Sequence, residues 1–567
     1  MIEKLKQLSS KVSIFNILIV TYVLVNLLQA IFTPIHDDES YYWIYSQSMD
    51  WGYFDHPPAV ALIVKIGTLL FGSTVLGVRF ITVLLSGLTI FFSWKLTSEE
   101  VRNKKNSFLI FFAILVSIPG LNMYGFITTP DVPLLFSFVI YLIAFKKLIE
   151  KQSVLNSIFW AVTAAMLIYS KYHGGLIILI SVIVQPKLLK QWTTYFAGFV
   201  ALLLITPHMY WQYNHDFISF KYHLFQRTSG VFTIDNPLGY IGGTVGILNP
   251  ALFVLISIVT FKFKNLISDD VKVFYRLFWG IIIFFFLYSF RSRIEAHWVV
   301  AATIPLTLVL HDVIIRNDKF KKAINRITVV SIFLLIIVRL AFVFSADFQK
   351  LALGYGEEYY KSVERIVPED RNIVFMNSFQ KTSKYRIYTG RDSWAYNNVY
   401  YRKNQYDLGE YDTVFNNSKV LLISWWNSKY FEPIQLDNGM KYKIALIDDY
   451  TIFTKVKGEV EGMPMVLKKG NYKVDITFDN PYSYDISFDE GKYPISIKLM
   501  FENKEEKKYF FNLKYNLKTL EANSSCKEEM SFEVSDEIPE GEYNCQIVFD
   551  YIYPQYVSSK TKIKIVK

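Results

Sequence analysis

Charge is scarce in this chain. Asp, Glu, Lys and Arg make up 19% of its 567 residues, less than a soluble protein of this length usually carries. No glycine-rich nucleotide fingerprint leads into a helix, which argues against a nucleotide-sugar reaction on the cytoplasmic side. There is no internal repeat and no low-complexity segment. A basic, apolar N-terminus resembles a signal peptide, but no small-residue cleavage site follows it and further apolar segments do, so it reads as a retained first span. Only two cysteines occur, Cys526 and Cys545, both near the end.

What is abundant is apolar sequence: 52% hydrophobic and 17% aromatic residues, gathered into long runs between about residues 14 and 344. A bilayer core takes about 20 apolar residues per helix. Eleven segments qualify as expected spans: 13–33, 80–97, 107–121, 131–146, 155–170, 174–186, 192–210, 238–261, 273–290, 297–315 and 327–346. The segments between them alternate in charge. The N-terminal tail and one set of loops hold 21 Lys and Arg, and the other set holds seven. Basic loops stay in the cytoplasm, which fixes the expected orientation with the N-terminus inside and the C-terminus outside. The net charge of +10 therefore reflects topology and not nucleic-acid binding.

Beyond residue 346 the chain reads as soluble and extracytoplasmic. Residues 347–455 mix helical pattern with short apolar strands such as Asn372–Met376, as in a small α/β module. Residues 456–567 alternate like strands of a β-sandwich, for example Tyr472–Phe478. A disulfide between Cys526 and Cys545 fits an oxidising outer compartment; two unrelated buried thiols are the alternative.

Chemistry gathers on the sparsely basic face. The first outer loop carries His36, Asp37, Asp38 and Glu39, then Tyr53, Asp55 and His56 before a Pro pair. Later loops on the same face bring Asp131, Lys171, Arg227, Glu295 and His297. Ionisable groups at a membrane boundary are costly unless paired or used. Each has a plainer reading: Asp37 or Asp38 caps a juxtamembrane helix, Asp131 caps the following span, and Glu295 and His297 pair with Arg291 or Arg293. Taken together, carboxylates serve as general bases toward a hydroxyl and cations stabilise a departing phosphate. That suits sugar transfer from a lipid phosphate to an acceptor outside the membrane. A transporter or flippase of lipid-linked saccharide is the alternative; such proteins commonly show duplicated halves and mid-membrane charges, whereas Arg339 is the clear intramembrane charge here.

At these residues the chain resembles the superfamily of protein O-mannosyltransferases and lipid A aminoarabinose transferases, the GT-C fold, over about residues 13 to 345. The matching stretches are Asp38-Glu39, Asp50 to Pro58, Leu76 to Arg79, Thr129 to Asp131, Ser170 to Tyr172 and Glu295 to Trp298. The resemblance implies a polyprenyl-phosphate sugar donor, a lipid, glycan or protein acceptor, inversion at the anomeric carbon, and an inner-membrane location. It implies Asp38 as general base, with Glu39 and Asp131 as further acidic residues of the site. It gives Tyr53 and the position of His56 as donor-phosphate contacts, with Arg79, Lys171 and Arg227 as candidate partners. Relatives of the aminoarabinose branch have Lys where this chain has His56, a weaker cation at neutral pH. Asp55, Glu295 and His297 are candidate ligands for a divalent metal by analogy with relatives.

Overall fold

A computed structural model describes residues 2–227, 233–409, 412–424, 430–437, 439–535 and 538–566, with the side chains of residues 2–13, 226, 412 and 413 left aside. Contacts divide the chain into two units, Met1–Glu357 and Glu358–Lys567.

The first unit is helical because its apolar runs leave the backbone no partner but itself. Among the described residues seven helices are long and apolar enough to cross a membrane, or up to eight if a bent pair counts as one. That pair, Asp235–Leu248 and Pro250–Lys262, turns through 100° at Asn249. Asn249 (φ +74°) caps the second half through the Ala251 and Leu252 N–H groups, and its amide donates to the Ser117 carbonyl. The expected spans near 107–121, 155–170 and 174–186 correspond to shorter apolar helices, Ser107–Val116, Val154–Ser170 and His173–Val184. Residues 298–315 of the Ala296–Arg316 segment are all buried, whereas Asp318–Phe344 turns apolar side chains such as Val329 and Phe333 outward.

The stretch read as a first outer loop is largely helical. Of the elements here, α1 is Ile2–Phe32, α2 is Asp37–Gln47, α3 is Ala59–Phe71 and α4 is Val75–Lys95. The α3–α4 hairpin closes backbone to backbone: a Cβ on Gly67 would come within 2.1 Å of the Gly77 carbonyl oxygen. Close approach through small residues is how helices gain contact where lipid supplies no hydrophobic drive. Among the described residues Arg339, the charge inside the last span, finds amides and not a carboxylate. Its Nε meets Asn122 Oδ1 (2.5 Å), its Nη2 meets Asn26 Oδ1 (2.6 Å), and its guanidinium lies 5.0 Å from the Phe126 ring centroid.

The second unit contains a five-stranded sheet of order β2-β1-β3-β5-β4: β1 Asn372–Met376, β2 Ser393–Tyr396, β3 Ser418–Ser424, β4 Glu432–Gln435 and β5 Lys441–Tyr450. β1 runs parallel to β2 and β3, and the helix Phe379–Thr389 makes the crossover from β1 to β2. Among the described residues, sheets of six, three and two strands follow, antiparallel except where Thr561–Ile565 runs parallel to Val466–Leu467, with an aromatic core that includes Phe478, Phe488 and Phe549. The expected disulfide is absent: Cys526 and Cys545 are free thiols. Cys526, half-buried, lies on the strand Ser524–Val534 of the three-stranded sheet, while Cys545 is buried on Gly541–Asp550 of the six-stranded sheet. Burial pushes the Cys545 thiol well above its ordinary value, so it packs as an apolar group.

Candidate active site

The site begins at the N-terminus of α2. Its cap is His36, whose Nδ1 accepts from the Asp38 N–H (3.0 Å), while Glu39 Oε2 accepts from the His36 N–H (2.8 Å). Neither aspartate is the cap; Asp37, Asp38 and Glu39 fill the first turn, where the helix dipole favours anions.

The three acids then diverge. Glu39 is wholly buried. It takes Arg79 through both oxygens (2.8 and 2.5 Å) and the Thr128 N–H (2.7 Å). Arg79 spends its remaining N–H groups on the carbonyls of Ala30, Thr33 and Pro34, so all five donors are satisfied. Both were expected at the reaction; in the structure they brace α1, α2, α4 and the segment before Asp131. Asp37 lies against the end of the helix Ala346–Leu353: a Cβ on Gly354 (φ +82°) would come within 2.3 Å of its carboxylate. Asp38 is half-buried, and its charge reaches two tyrosines. The Tyr42 hydroxyl is held well above its ordinary value, first by burial and then by Asp38, Asp55 and Asp131. Tyr124 is raised likewise by burial, Asp131 and Asp38.

Asp131 opens the helix Asp131–Glu150 and is buried, but Pro130 is the cap position. Its carboxylate instead pairs with Lys171 at 2.7 Å. Burial pushes the Lys171 ammonium below its ordinary value against the pull of Asp131, and Arg227 lowers it further. Arg227 follows a π-helical turn, Tyr222–Gln226, and stacks 5.0 Å from the Trp298 ring centroid. Residues 228–232, part of the same expected outer segment, lie outside the described residues.

The Pro-pair loop is clamped from below. The Tyr53 hydroxyl meets the carbonyls of Tyr45 (3.0 Å) and Ser48 (3.1 Å), its ring stacks on Tyr45, and Ser219 Oγ donates to its carbonyl (2.9 Å). Tyr53 thus shapes the loop. Trp211 Nε1 donates to Asp50 (2.7 Å), and His208 Nδ1 meets the Trp51 carbonyl (2.7 Å). Asp55 accepts from the Tyr45 hydroxyl, and its carbonyl meets His223 Nε2 (2.8 Å). His56 Nε2 lies 3.4 Å from the Tyr42 hydroxyl. Burial drives the His56 imidazole down to about 3, with Asp55 opposing and Lys171 assisting, so it is neutral at pH 7. A neutral ring offers a hydrogen bond and no counter-charge.

The metal expectation is not supported. Among the described residues no group of three His, Cys, Asp or Glu converges as ligands. Asp55 is engaged by Tyr45, and Glu295 forms an exposed pair with Arg293 (3.4 Å), the plainer alternative for that residue. His297 stays near the cluster, within electrostatic reach of His173.

Tyr42, Tyr124 and His223 were not singled out from sequence. His223 had a faint signal, a histidine four positions before Arg227 in an outer segment. The tyrosines were indistinguishable from an interfacial aromatic belt.

Comparison with known proteins bears on this arrangement. Residues 55–211 match the family described as dolichyl-phosphate-mannose-protein mannosyltransferase. The solved structure of ArnT from Cupriavidus metallidurans in the apo state superposes with a TM-score of 0.55, covering 77% of this chain and 98% of that one at 12% identity. The chain thus has the ArnT-like fold, and its likenesses are to glycosyltransferases of the GT-C superfamily. The same ArnT bound to undecaprenyl phosphate gives 0.52 over 76% and 97% at 12% identity. The lipid A galacturonosyltransferase RgtD of Rhizobium johnstonii is 22% identical over 287 residues, 49% of this chain and 60% of that protein. The chain thus spans about three-fifths of the length of that curated relative. The GT-C core is a multi-pass membrane structure, in keeping with the helical unit here.

Proposed function

We propose that this GT-C protein is a glycosyltransferase that moves a sugar from a polyprenyl-phosphate donor to a glycolipid acceptor of the lipid A class, at the outer face of the inner membrane. The observation that carries the reading is the pairing at Asp131. A buried Asp131–Lys171 ion pair lies among Asp38, Arg227 and neutral histidines, on the face away from the basic loops. RgtD, a lipid A galacturonosyltransferase, and ArnT with undecaprenyl phosphate support the two substrate classes.

Asp38 is the general base. It takes the proton of the acceptor hydroxyl as that oxygen attacks the anomeric carbon from the side opposite the phosphate. The bond from the anomeric carbon to the phosphate oxygen breaks, the electron pair leaves with the polyprenyl phosphate, and the configuration inverts. Lys171 and Arg227 hold the departing charge in a site of low dielectric. Asp131 orients Lys171. His56 and Tyr42 supply neutral hydrogen bonds to the phosphate or the sugar. No step calls on a metal. Eleven crossings complete the topology: the seven long helices, the bent pair and three of the shorter apolar helices. They put the N-terminus inside and the C-terminal unit outside. Residues 1–346 form the transferase core, with 347–455 and 456–567 as two outer modules, supported by the break in strands between Tyr450 and Lys457.

The test is Asp38→Asn in a deletion strain, read by mass spectrometry of the lipid A fraction. Expected is a folded membrane protein with transfer reduced at least about 100-fold, typical for loss of a general base. Normal transfer would remove Asp38 as the base.

A further inference from the structure

At the other end of the helices that carry the site lies a second feature. α4 has Arg79 near its start and Lys95 at its end; Asp131–Glu150 starts at the candidate site and ends with Lys146, Lys147 and Glu150. Twenty residues of helix span about 30 Å, the thickness of a bilayer core. The cleft formed there, about 670 Å³, therefore belongs to the opposite membrane face.

Its composition is divided. Four cations line it, Lys95, Arg102, Lys146 and Lys147, and its apolar wall is Phe92, Ile140, Ile143 and Phe159. Glu150 is its one carboxylate and reaches only Lys146, at 4.0 Å. Among the described residues Lys95, Arg102 and Lys147 have no carboxylate within ion-pair distance. Two of the ammonium groups rest on aromatic rings instead. Lys95 Nζ is 4.5 Å from the Phe91 centroid and 5.6 Å from that of Phe92, and Lys147 Nζ is 5.6 Å from that of Phe159. These contacts hold positive charge at the rim of an apolar wall without neutralising it.

A membrane protein carries basic residues at one face for topology alone, and those act diffusely on the surface. Here the charges sit in a concavity with an apolar wall beneath them. That is the complement of a phosphodiester with acyl chains attached; a free phosphate would leave the wall unused. We propose that this cleft binds the headgroup of an anionic phospholipid of the basic-loop leaflet, its phosphate among Lys95, Arg102 and Lys147 and its chains against Phe92, Ile140, Ile143 and Phe159.

The experiment takes the full chain, delipidated in a neutral detergent, and follows binding of phosphatidylglycerol and phosphatidylcholine by native mass spectrometry. Expected is one equivalent of phosphatidylglycerol held at least about ten-fold more tightly than phosphatidylcholine, and weakened by salt. The Lys95→Gln/Lys147→Gln pair lowers that affinity about thirty-fold, from about 1 kcal/mol per cation, and leaves phosphatidylcholine binding unchanged. Glu150→Gln releases Lys146 and tightens phosphatidylglycerol binding, a gain that misfolding would not produce. Equal retention of the two lipids, indifference to all three substitutions, or displacement of the lipid by millimolar inorganic phosphate would each overturn the proposal.

Discussion

The Glu39–Arg79 and Asp131–Lys171 pairs are both buried beside the first outer segment, and they are finished differently. Arg79 has every N–H donor bonded, two to Glu39 and the rest to three backbone carbonyls. Among the described residues Lys171 bonds Asp131 alone, at 2.7 Å, with its ammonium lowered by burial and Arg227 pressing from nearby. The first pair has no capacity left for a ligand. In the second, the ammonium keeps donors that the phosphate of the proposed donor would fill. In a buried site, the number of unused donors separates a brace from a binding group more sharply than charge or burial does.

That contrast predicts different failures. Removing one partner of a buried ion pair strands the other, at about 3–5 kcal/mol. Arg79→Met should therefore abolish recovery of monodisperse protein or lower its melting temperature steeply, and a variant that purifies and melts normally would collapse the distinction. Lys171→Met removes one hydrogen bond where Arg79→Met removes five, so it should fold but lose about 100- to 1,000-fold in transfer rate, the usual effect of deleting one donor to a developing anion. Its readout is kcat at saturating donor beside circular dichroism in detergent.

A smaller effect is expected from pH. His56 is held neutral, with its proton affinity down to about 3 against an ordinary 6.5. The stability tied to that depression is fully present above pH 6.5. It is lost as pH falls toward 3, by at most about 1.4 kcal/mol per pH unit, because the unfolded chain takes the proton that the folded one refuses. Melting temperatures from pH 7.5 to pH 5 should decline in the wild type and decline less steeply in His56→Gln, where His173 and His223, also lowered by burial, still contribute. An equal decline in both would assign the effect to other groups. The smallest expected effect is none: Cys526→Ser should leave mass and melting the same with and without reductant, as two free thiols require. A shift in migration on reduction of the wild type would restore the bridge.

The large pattern was readable from sequence because apolar runs near 20 residues have few fates in a chain this poor in charge. Ala59–Phe71 is not legible as a membrane helix because 13 residues fall short of a span, so by hydropathy the stretch from 34 to 79 reads as a loop. The cap of α2 was misread for a sound reason: aspartate is the favoured cap, and histidine serves here only because its ring nitrogen reaches the Asp38 N–H. Asp38 and Glu39 look alike in sequence. What separates them is an arginine 40 positions on and an amide 89 positions on, distances at which no local pattern speaks. The cysteines suggested a bridge by compartment and number; the strand pairings that put them on different sheets could not be read from their spacing.

The fastening of Glu39 bears on its neighbour in a further way. Arg79 and the Thr128 amide pin the first turn of α2 from two other parts of the chain, and Thr128 is three residues from Asp131. Asp38 is one peptide from that fixed point. Its backbone is set when the protein folds, so in the role proposed for it as base little reorganisation would remain for the moment of reaction. On the proposed mechanism, the brace at Glu39 would serve as preorganisation for the residue beside it. Loosening it by the shortest step, Glu39→Asp, would register as a slower Asp38 before it registered as a less stable protein.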